Sequence, residues 1–135
     1  MKNKVFDAIT IPLVSEESFS VGNDIVFLPD FILSFNPMFQ KKIYTSEEIL
    51  YCDQFDKPML RYASTWAAKE AIYKSIKQLC PTPIGLSKIT IIRDKIAGIP
   101  RVVLPASFSH LKVSLSITHD GDYVWAIAIS KISSV

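Results

Sequence analysis

Glycine is scarce in this sequence: there are four, at positions 22, 85, 98 and 121. They build no glycine-rich loop of the Walker or dinucleotide type, so any phosphate chemistry must rest on side chains and a metal. Cysteine is scarcer still. Cys52 and Cys80 lie far apart with no C-x-x-C pair, which points to free thiols in a reducing compartment rather than a disulfide or a zinc site. An excess of charge of one sign is also missing, because 15 Lys+Arg against 13 Asp+Glu leave a formal net charge of +2. Nucleic-acid binders usually carry a clear basic surplus, so no nucleic-acid partner is expected. No apolar run approaches the roughly 20 residues that span a bilayer, and no membrane partner is expected. Basic residues open the chain, but Asp7, Glu16 and Glu17 break up the stretch behind them. A secretory signal is not expected, and a cytoplasmic location is.

With 135 residues and 49% hydrophobic composition, the chain has the size and apolar content of one globular domain. Residues 1–18 read as an N-terminal arm or edge strand, and 19–135 as the domain itself. Phe19 to Phe27 is β-branched and aromatic, the signature of a strand. Leu28-Pro29-Asp30 opens a helix that should stop before Pro37. Thr45-Ser46-Glu47-Glu48 is a capping box at the head of a short helix. Asp56-Lys57-Pro58 opens the longest helix, with Asp56 expected at its N-cap; it runs to about Leu79, ahead of Pro81 and Pro83. Its apolar stripe is Met59, Tyr62, Ala63, Trp66 and Tyr73. The period then changes to two: strands are expected at Leu86 to Ile92, Arg101 to Leu104, Leu111 to Ile117 and Tyr123 to Ile129. The fold class is α+β, one domain with an antiparallel-rich sheet packed on one long helix.

Four charged or titratable residues do not fit a pure packing role. Glu70 falls on or beside the helix's apolar stripe, where a bare charge is prohibitive. It either pairs with Lys74 at i+4 or binds a cation. Asp24 sits inside an apolar strand, where Asp is disfavoured; it either points to solvent at a bulge or serves chemistry. Together the two offer hard oxygen ligands of the kind Mg²⁺ takes beside substrate phosphates. His119, after Thr118 at a strand end, is either merely exposed or a donor to phosphate. Lys69 is turned about 100° from Glu70 on the helix. It is either a solvated surface lysine or a phosphate contact.

Val21-Gly22-Asn23-Asp24-Ile25-Val26 resembles the G-x-D-[IV] strand of the 4'-phosphopantetheinyl transferases. Trp66-Ala67-Ala68-Lys69-Glu70-Ala71-Ile72-Tyr73-Lys74 matches their central motif, [FW]-[AS]-x-K-E-[AS]-x-x-K, without a mismatch. Gly98-Ile99-Pro100 is similar to their G-x-P turn, and Thr118-His119 to the [ST]-H before their final strand. Length and the single central motif resemble the small holo-acyl-carrier-protein synthase branch.

That resemblance implies transfer of 4'-phosphopantetheine from coenzyme A to a serine of an apo acyl carrier protein, with 3',5'-ADP released. It implies that Asp24 and Glu70 hold Mg²⁺ and that Lys74 contacts the phosphates. It further implies that His119 and Thr118 border the pyrophosphate or nucleotide, with Lys69 a secondary phosphate contact and Gly98 and Pro100 at the coenzyme A site. Such synthases are trimers with that site between subunits, so a homo-oligomer is expected, and fatty acid biosynthesis is an expected setting. Three positions depart from the branch. Thr65 stands where an arginine commonly precedes the motif aromatic, and Arg61, one turn earlier, is the candidate to replace it. The segment Pro29 to Gln40 contains no arginine, which leaves Phe31, Phe35, Met38 and Phe39 as a more hydrophobic carrier surface. Asn23 stands where an apolar residue is usual. The competing readings are a non-catalytic module that binds coenzyme A or a carrier, and a metal-dependent pyrophosphate hydrolase using the same ligands.

Overall fold

The computed structural model describes residues 18–93 and 98–133; the expected N-terminal arm, apart from Ser18, lies outside them. β1 (Phe19–Phe27) forms where its β-branched and aromatic residues predict it. It is followed by α1 (Leu28–Ser34), α2 (Pro37–Ile43), α3 (Ser46–Asp53) and the 20-residue α4 (Pro58–Lys77). β2 (Thr90–Ile92), β3 (Arg101–Val103), β4 (Leu111–Asp120) and β5 (Tyr123–Ile132) complete the order. β1, β5 and β4 form an antiparallel sheet with β5 in the centre, and β2 pairs with β3 separately. Among the described residues no helix is long and apolar enough to cross a membrane.

The sheet's inner face packs on α4. Small residues make that contact close: a Cβ on Gly22 would collide with the Ala71 carbonyl oxygen and stand 2.6 Å from the Ser75 nitrogen. Gly22 is thus demanded by the strand–helix crossing rather than by a turn. Three hydroxyls stitch the seam. Ser20 donates to the Ser75 carbonyl at 2.5 Å, and the Ser75 and Ser130 oxygens lie 2.6 Å apart. β4 and β5 meet in a two-residue turn, Asp120 opposite Tyr123, with Gly121 at φ +56°.

Several local expectations change. α4 begins at Pro58 with Lys57 at the N-cap, and no side chain, Asp56 included, caps it. The stretch Leu86 to Ile92 is not one strand: Leu86–Lys88 is a 3₁₀ turn and only Thr90–Ile92 pairs. α2 is a separate helix because Asn36 accepts a hydrogen bond from the Phe39 nitrogen at 2.8 Å, capping the turn that Pro37 opens. Phe31 is buried, and Phe35 and Phe39 turn inward to Tyr62 and Trp66 at 4.8 and 5.1 Å between ring centres. These rings seat α1 and α2 on α4. Leu33 and Met38, not the phenylalanines, are the apolar residues most exposed there.

Among the described residues nothing packs over most of the outer face of the sheet. Phe19, Val21, Ile25 and Phe27 of β1 share it with Tyr123, Trp125, Ile127 and Ile129 of β5; Ile25 is 61% exposed and Trp125 46%.

Candidate active site

Asp24 lies on the inner face of β1, two residues beyond the close crossing at Gly22, so it is delivered beside the second half of α4. Lys74 donates to Asp24 Oδ1 at 2.9 Å and to the Asn23 carbonyl at 3.1 Å. The i+4 pair between Glu70 and Lys74 does not form, because Lys74 reaches across to the strand. Glu70 is left half-buried with no ion pair or hydrogen bond among the described residues. Burial, and then the neighbouring Asp24 charge, push its carboxyl above the usual range, against a smaller pull from Lys74. Asp24 and Glu70 line one cleft of about 570 Å³, walled by Phe27, Phe31, Phe39 and Trp66. The structure therefore brings three expected residues together: Asp24, Glu70 and Lys74. Two hard carboxylates with one oxygen set unpaired form a donor set that suits a divalent cation and a phosphate ligand.

Lys69 is a correction. It is neither a surface lysine nor available to a phosphate. Its side chain is 0% exposed and its ammonium is consumed by Glu48 Oε1 at 2.7 Å and the carbonyls of Ile43 and Leu86 at 2.8 and 3.0 Å. Burial lowers its pKa, and Glu48 opposes that shift. Glu48 is equally committed: Oε1 also accepts from the Thr45 nitrogen, closing the capping box, and Oε2 accepts from the Ile91 nitrogen at 2.8 Å. One ion pair thus ties α4 to α3, to the end of α2 and to β2.

His119 stands elsewhere. It faces a second cleft, of about 210 Å³, together with Gly98, Pro100, Arg61, Ser64 and Arg93. That cleft shares no lining residue with the first. β1 and β4 are opposite edges of the sheet, and Arg61 and Glu70 are nine residues, about two and a half turns, apart on α4, hence on opposite sides of it. Thr118 is separated from His119 as well. Strand alternation puts it on the outer face, paired in register with Trp125, while His119 follows Ile117 on the inner one.

Arg93 was not legible as a site residue. It directly follows β2, donates to Thr65 Oγ1 and stacks 4.4 Å over the Tyr51 ring. Arg61 lies 4.2 Å over Phe55. The only local signal was an arginine closing an apolar strand, and its partner Thr65 lies 28 residues earlier.

The family model of the 4'-phosphopantetheinyl transferase superfamily matches residues 20–128. The holo-[acyl-carrier-protein] synthase of Chlamydia trachomatis serovar D is 32% identical over 120 residues, covering 84% of this chain and 99% of that protein. The fatty acid synthase subunit alpha of Candida parapsilosis is 32% identical over 126 residues; these are 87% of this chain but 7% of that much longer protein. The chain is also similar to the ACPS–CoA complex of Chronobacterium ammoniagenes, with a TM-score of 0.74 at 25% identity over 87% of this chain and 99% of that one. For the Neisseria meningitidis synthase the TM-score is 0.68 at 30% identity, over 83% and 97%. On the match of sequence, fold and motif order, this chain belongs to the 4'-phosphopantetheinyl transferase superfamily, on its small holo-[acyl-carrier-protein] synthase branch.

Proposed function

We propose that this chain is a holo-[acyl-carrier-protein] synthase that moves 4'-phosphopantetheine from coenzyme A to a serine of an apo acyl carrier protein and releases 3',5'-ADP. The observation that carries this reading is the cleft in which Asp24 and the unpaired Glu70 meet, with Lys74 at its edge, in a chain of this family. The donor set fits Mg²⁺, and Asp24 and Glu70 are the residues that would hold it. Mg²⁺ supplies neutralisation of pyrophosphate charge when bound. Lys74, already anchored on Asn23 and Asp24, places a fixed positive charge where the leaving phosphate accumulates negative charge. Phe27, Phe31 and Trp66 form the apolar wall of the cleft and exclude water from one side of it. Phosphoryl transfer needs mainly such alignment and charge compensation.

The active unit is an oligomer, and by resemblance a trimer. Two features support this: the apolar sheet face that the described residues leave exposed, larger than isolated exposed residues would make it, and the placing of His119 in a cleft apart from Glu70. A neighbour's His119 cleft would complete the carboxylate cleft. The carrier is of the fatty acid type, as the fatty acid synthase relative suggests, and the setting is the cytoplasm.

The test is mass spectrometry of an apo acyl carrier protein incubated with coenzyme A, Mg²⁺ and this protein. A phosphopantetheine adduct is expected, absent with Glu70→Gln and absent with chelator. Carrier binding with no adduct would replace the enzyme by a binding module, and 3',5'-ADP released without carrier would indicate a hydrolase. Mixing Glu70→Gln with His119→Ala chains under exchange conditions should restore about a quarter of wild-type activity if the site is shared between neighbours. No recovery would place each site within one chain.

A further inference from the structure

The two lysine–carboxylate ion pairs beside α4 differ in how easily they can be exchanged. The Lys74 side chain is 49% exposed and that of Asp24 18%, and the ammonium rests on Asp24 Oδ1 at 2.9 Å and on the Asn23 carbonyl at 3.1 Å. A partner closer in sequence was at hand. Glu70 lies four residues before Lys74, the favourable order for a helical pair. The lysine nevertheless crosses to β1 and leaves Glu70 without an ion pair or hydrogen bond among the described residues. The two carboxylates share one cleft, and the Asp24 charge is felt at Glu70 more strongly than that of Lys74. With all three groups ionised, the site sums to one negative charge, which repels a phosphate. A divalent cation turns that sum into one positive charge, which attracts it.

We propose that Lys74 is a built-in placeholder for the divalent cation, and that it exchanges Asp24 for a phosphate oxygen when the cation binds. Before that, the ammonium neutralises Asp24 and holds the strand carboxylate beside Glu70. Once a cation takes Asp24, the lysine gives up that bond, stays on the Asn23 carbonyl and turns the freed N–H to the phosphate. Three observations favour this exchange. A dication and an ammonium on one carboxylate repel each other twice as strongly as two unit charges, so Asp24 does not keep both. The Asn23 carbonyl is backbone and uncharged, so its bond survives the change at Asp24. The Asp24–Lys74 pair is also half in water, where such pairs are weak and are exchanged at little cost. The pair formed by Lys69, one residue before Glu70, has none of this freedom: its side chains are 0% and 1% exposed, and the ammonium is held by Glu48 and two carbonyls. The device makes capture of the phosphate conditional on the cation. This inference rests on the transferase reading for its phosphate ligand and adds the order in which that site fills.

The experiment is nuclear magnetic resonance of the full chain labelled with ¹⁵N-lysine, the Lys74 ammonium signal being the one that disappears in Lys74→Met. The probes are Mg²⁺ alone and then Mg²⁺ with inorganic pyrophosphate, so neither coenzyme nor carrier is needed. Mg²⁺ should shift the Lys74 signal and speed its proton exchange with water several-fold, while the buried Lys69 ammonium stays unmoved. Pyrophosphate added next should slow the Lys74 exchange again. In Glu70→Gln the same Mg²⁺ concentration should leave Lys74 on Asp24. Calorimetric titration with Mg²⁺ gives a second readout. Lys74→Met should bind Mg²⁺ about two- to five-fold more tightly than the wild type, the range set by an ion pair of this exposure that no longer competes. Lys77→Met removes the same charge one turn further along α4, from a lysine that donates to the Pro81 and Thr82 carbonyls, and should leave Mg²⁺ affinity unchanged. A Lys74 signal that stays put while Mg²⁺ binds would overturn the inference, as would equal Mg²⁺ affinity, or none, in the wild type and Lys74→Met. Each of those results leaves the transferase reading intact, since that reading is judged by adduct formation on the carrier. If no carrier is modified and the Lys74 exchange still follows Mg²⁺ and pyrophosphate, the placeholder stands without the transferase.

Discussion

Two lysine–carboxylate groupings flank α4, and they are built to opposite standards. Around Lys69 and Glu48 each strong donor and acceptor has a partner, and the two side chains are 0% and 1% exposed. Around Asp24, Glu70 and Lys74 the charges are partly open to solvent, one carboxylate has no partner among the described residues, and its pKa is forced upward. Consecutive residues, Lys69 and Glu70, point into these two worlds. The difference separates architecture from chemistry. A charge that the fold satisfies holds elements together, whereas one that the fold leaves unsatisfied is kept for something that binds.

The sharpest way to break the comparison is to make the same substitution on both sides. Lys69→Met leaves Glu48 as a buried charge without its cation, and removing one partner of such a pair costs about 3–5 kcal/mol. Denaturant titration should show a correspondingly lower midpoint. Glu48→Gln together with Lys69→Met should recover part of that loss, because the stranded charge is gone. A loss below about 1 kcal/mol would place this pair among surface ion pairs.

Next in size is Gly22→Ala, which touches the joint that delivers Asp24 to Glu70. The added Cβ would meet backbone of Ala71 and Ser75, and backbone cannot rotate aside. Overpacking of this kind costs about 1–3 kcal/mol. Since β1 must lift from α4, activity should fall by more than stability alone explains. Unchanged activity in the folded variant would show that the crossing does not set the Asp24 position. Smaller again is Lys74→Met. Its bond to Asp24 is half in water, so denaturation should shift by less than about 1 kcal/mol, while transfer activity should fall sharply. A stability loss matching that of Lys69→Met would erase the distinction between the two groupings.

The sequence exposes these two groupings unequally. β1 is legible over its full length because its β-branched and aromatic run has no helical competitor, and Asp24 and Glu70 stand out as carboxylates on apolar faces. The capping box at Thr45 and Glu48 is legible from spacing alone. Nothing local reveals that the same Glu48 carboxylate also holds Ile91 and a lysine 21 residues on, and a lysine is so seldom buried that Lys69 reads as surface. Asn36 looks like part of a loop because Pro37 disfavours helix before it; that the same pair caps a new helix depends on where the Asn side chain turns. Arg93 depends wholly on a contact across the chain. Local chemistry is written in short spacings, whereas satisfaction of a charge is a property of the packed molecule.

The subtlest prediction concerns the sign of Glu70's contribution to folding. In the folded chain its carboxyl is raised above the ordinary value near 4.3 that it has when unfolded. The folded state therefore holds the proton more tightly, and stability falls as pH climbs from the unfolded value through the raised one. Above that window the penalty is fully present; below about pH 4 it is absent. Glu70→Gln should accordingly raise the melting temperature of the metal-free protein at neutral pH, and the gain should fade on acidification. Mg²⁺ should raise the melting temperature of the wild type, because a ligand bound only by the native state stabilises it, and should leave Glu70→Gln unmoved. A Glu70→Gln protein less stable than the wild type at neutral pH would mean that the carboxylate is satisfied after all, and the two sides of α4 would then differ in exposure but not in kind.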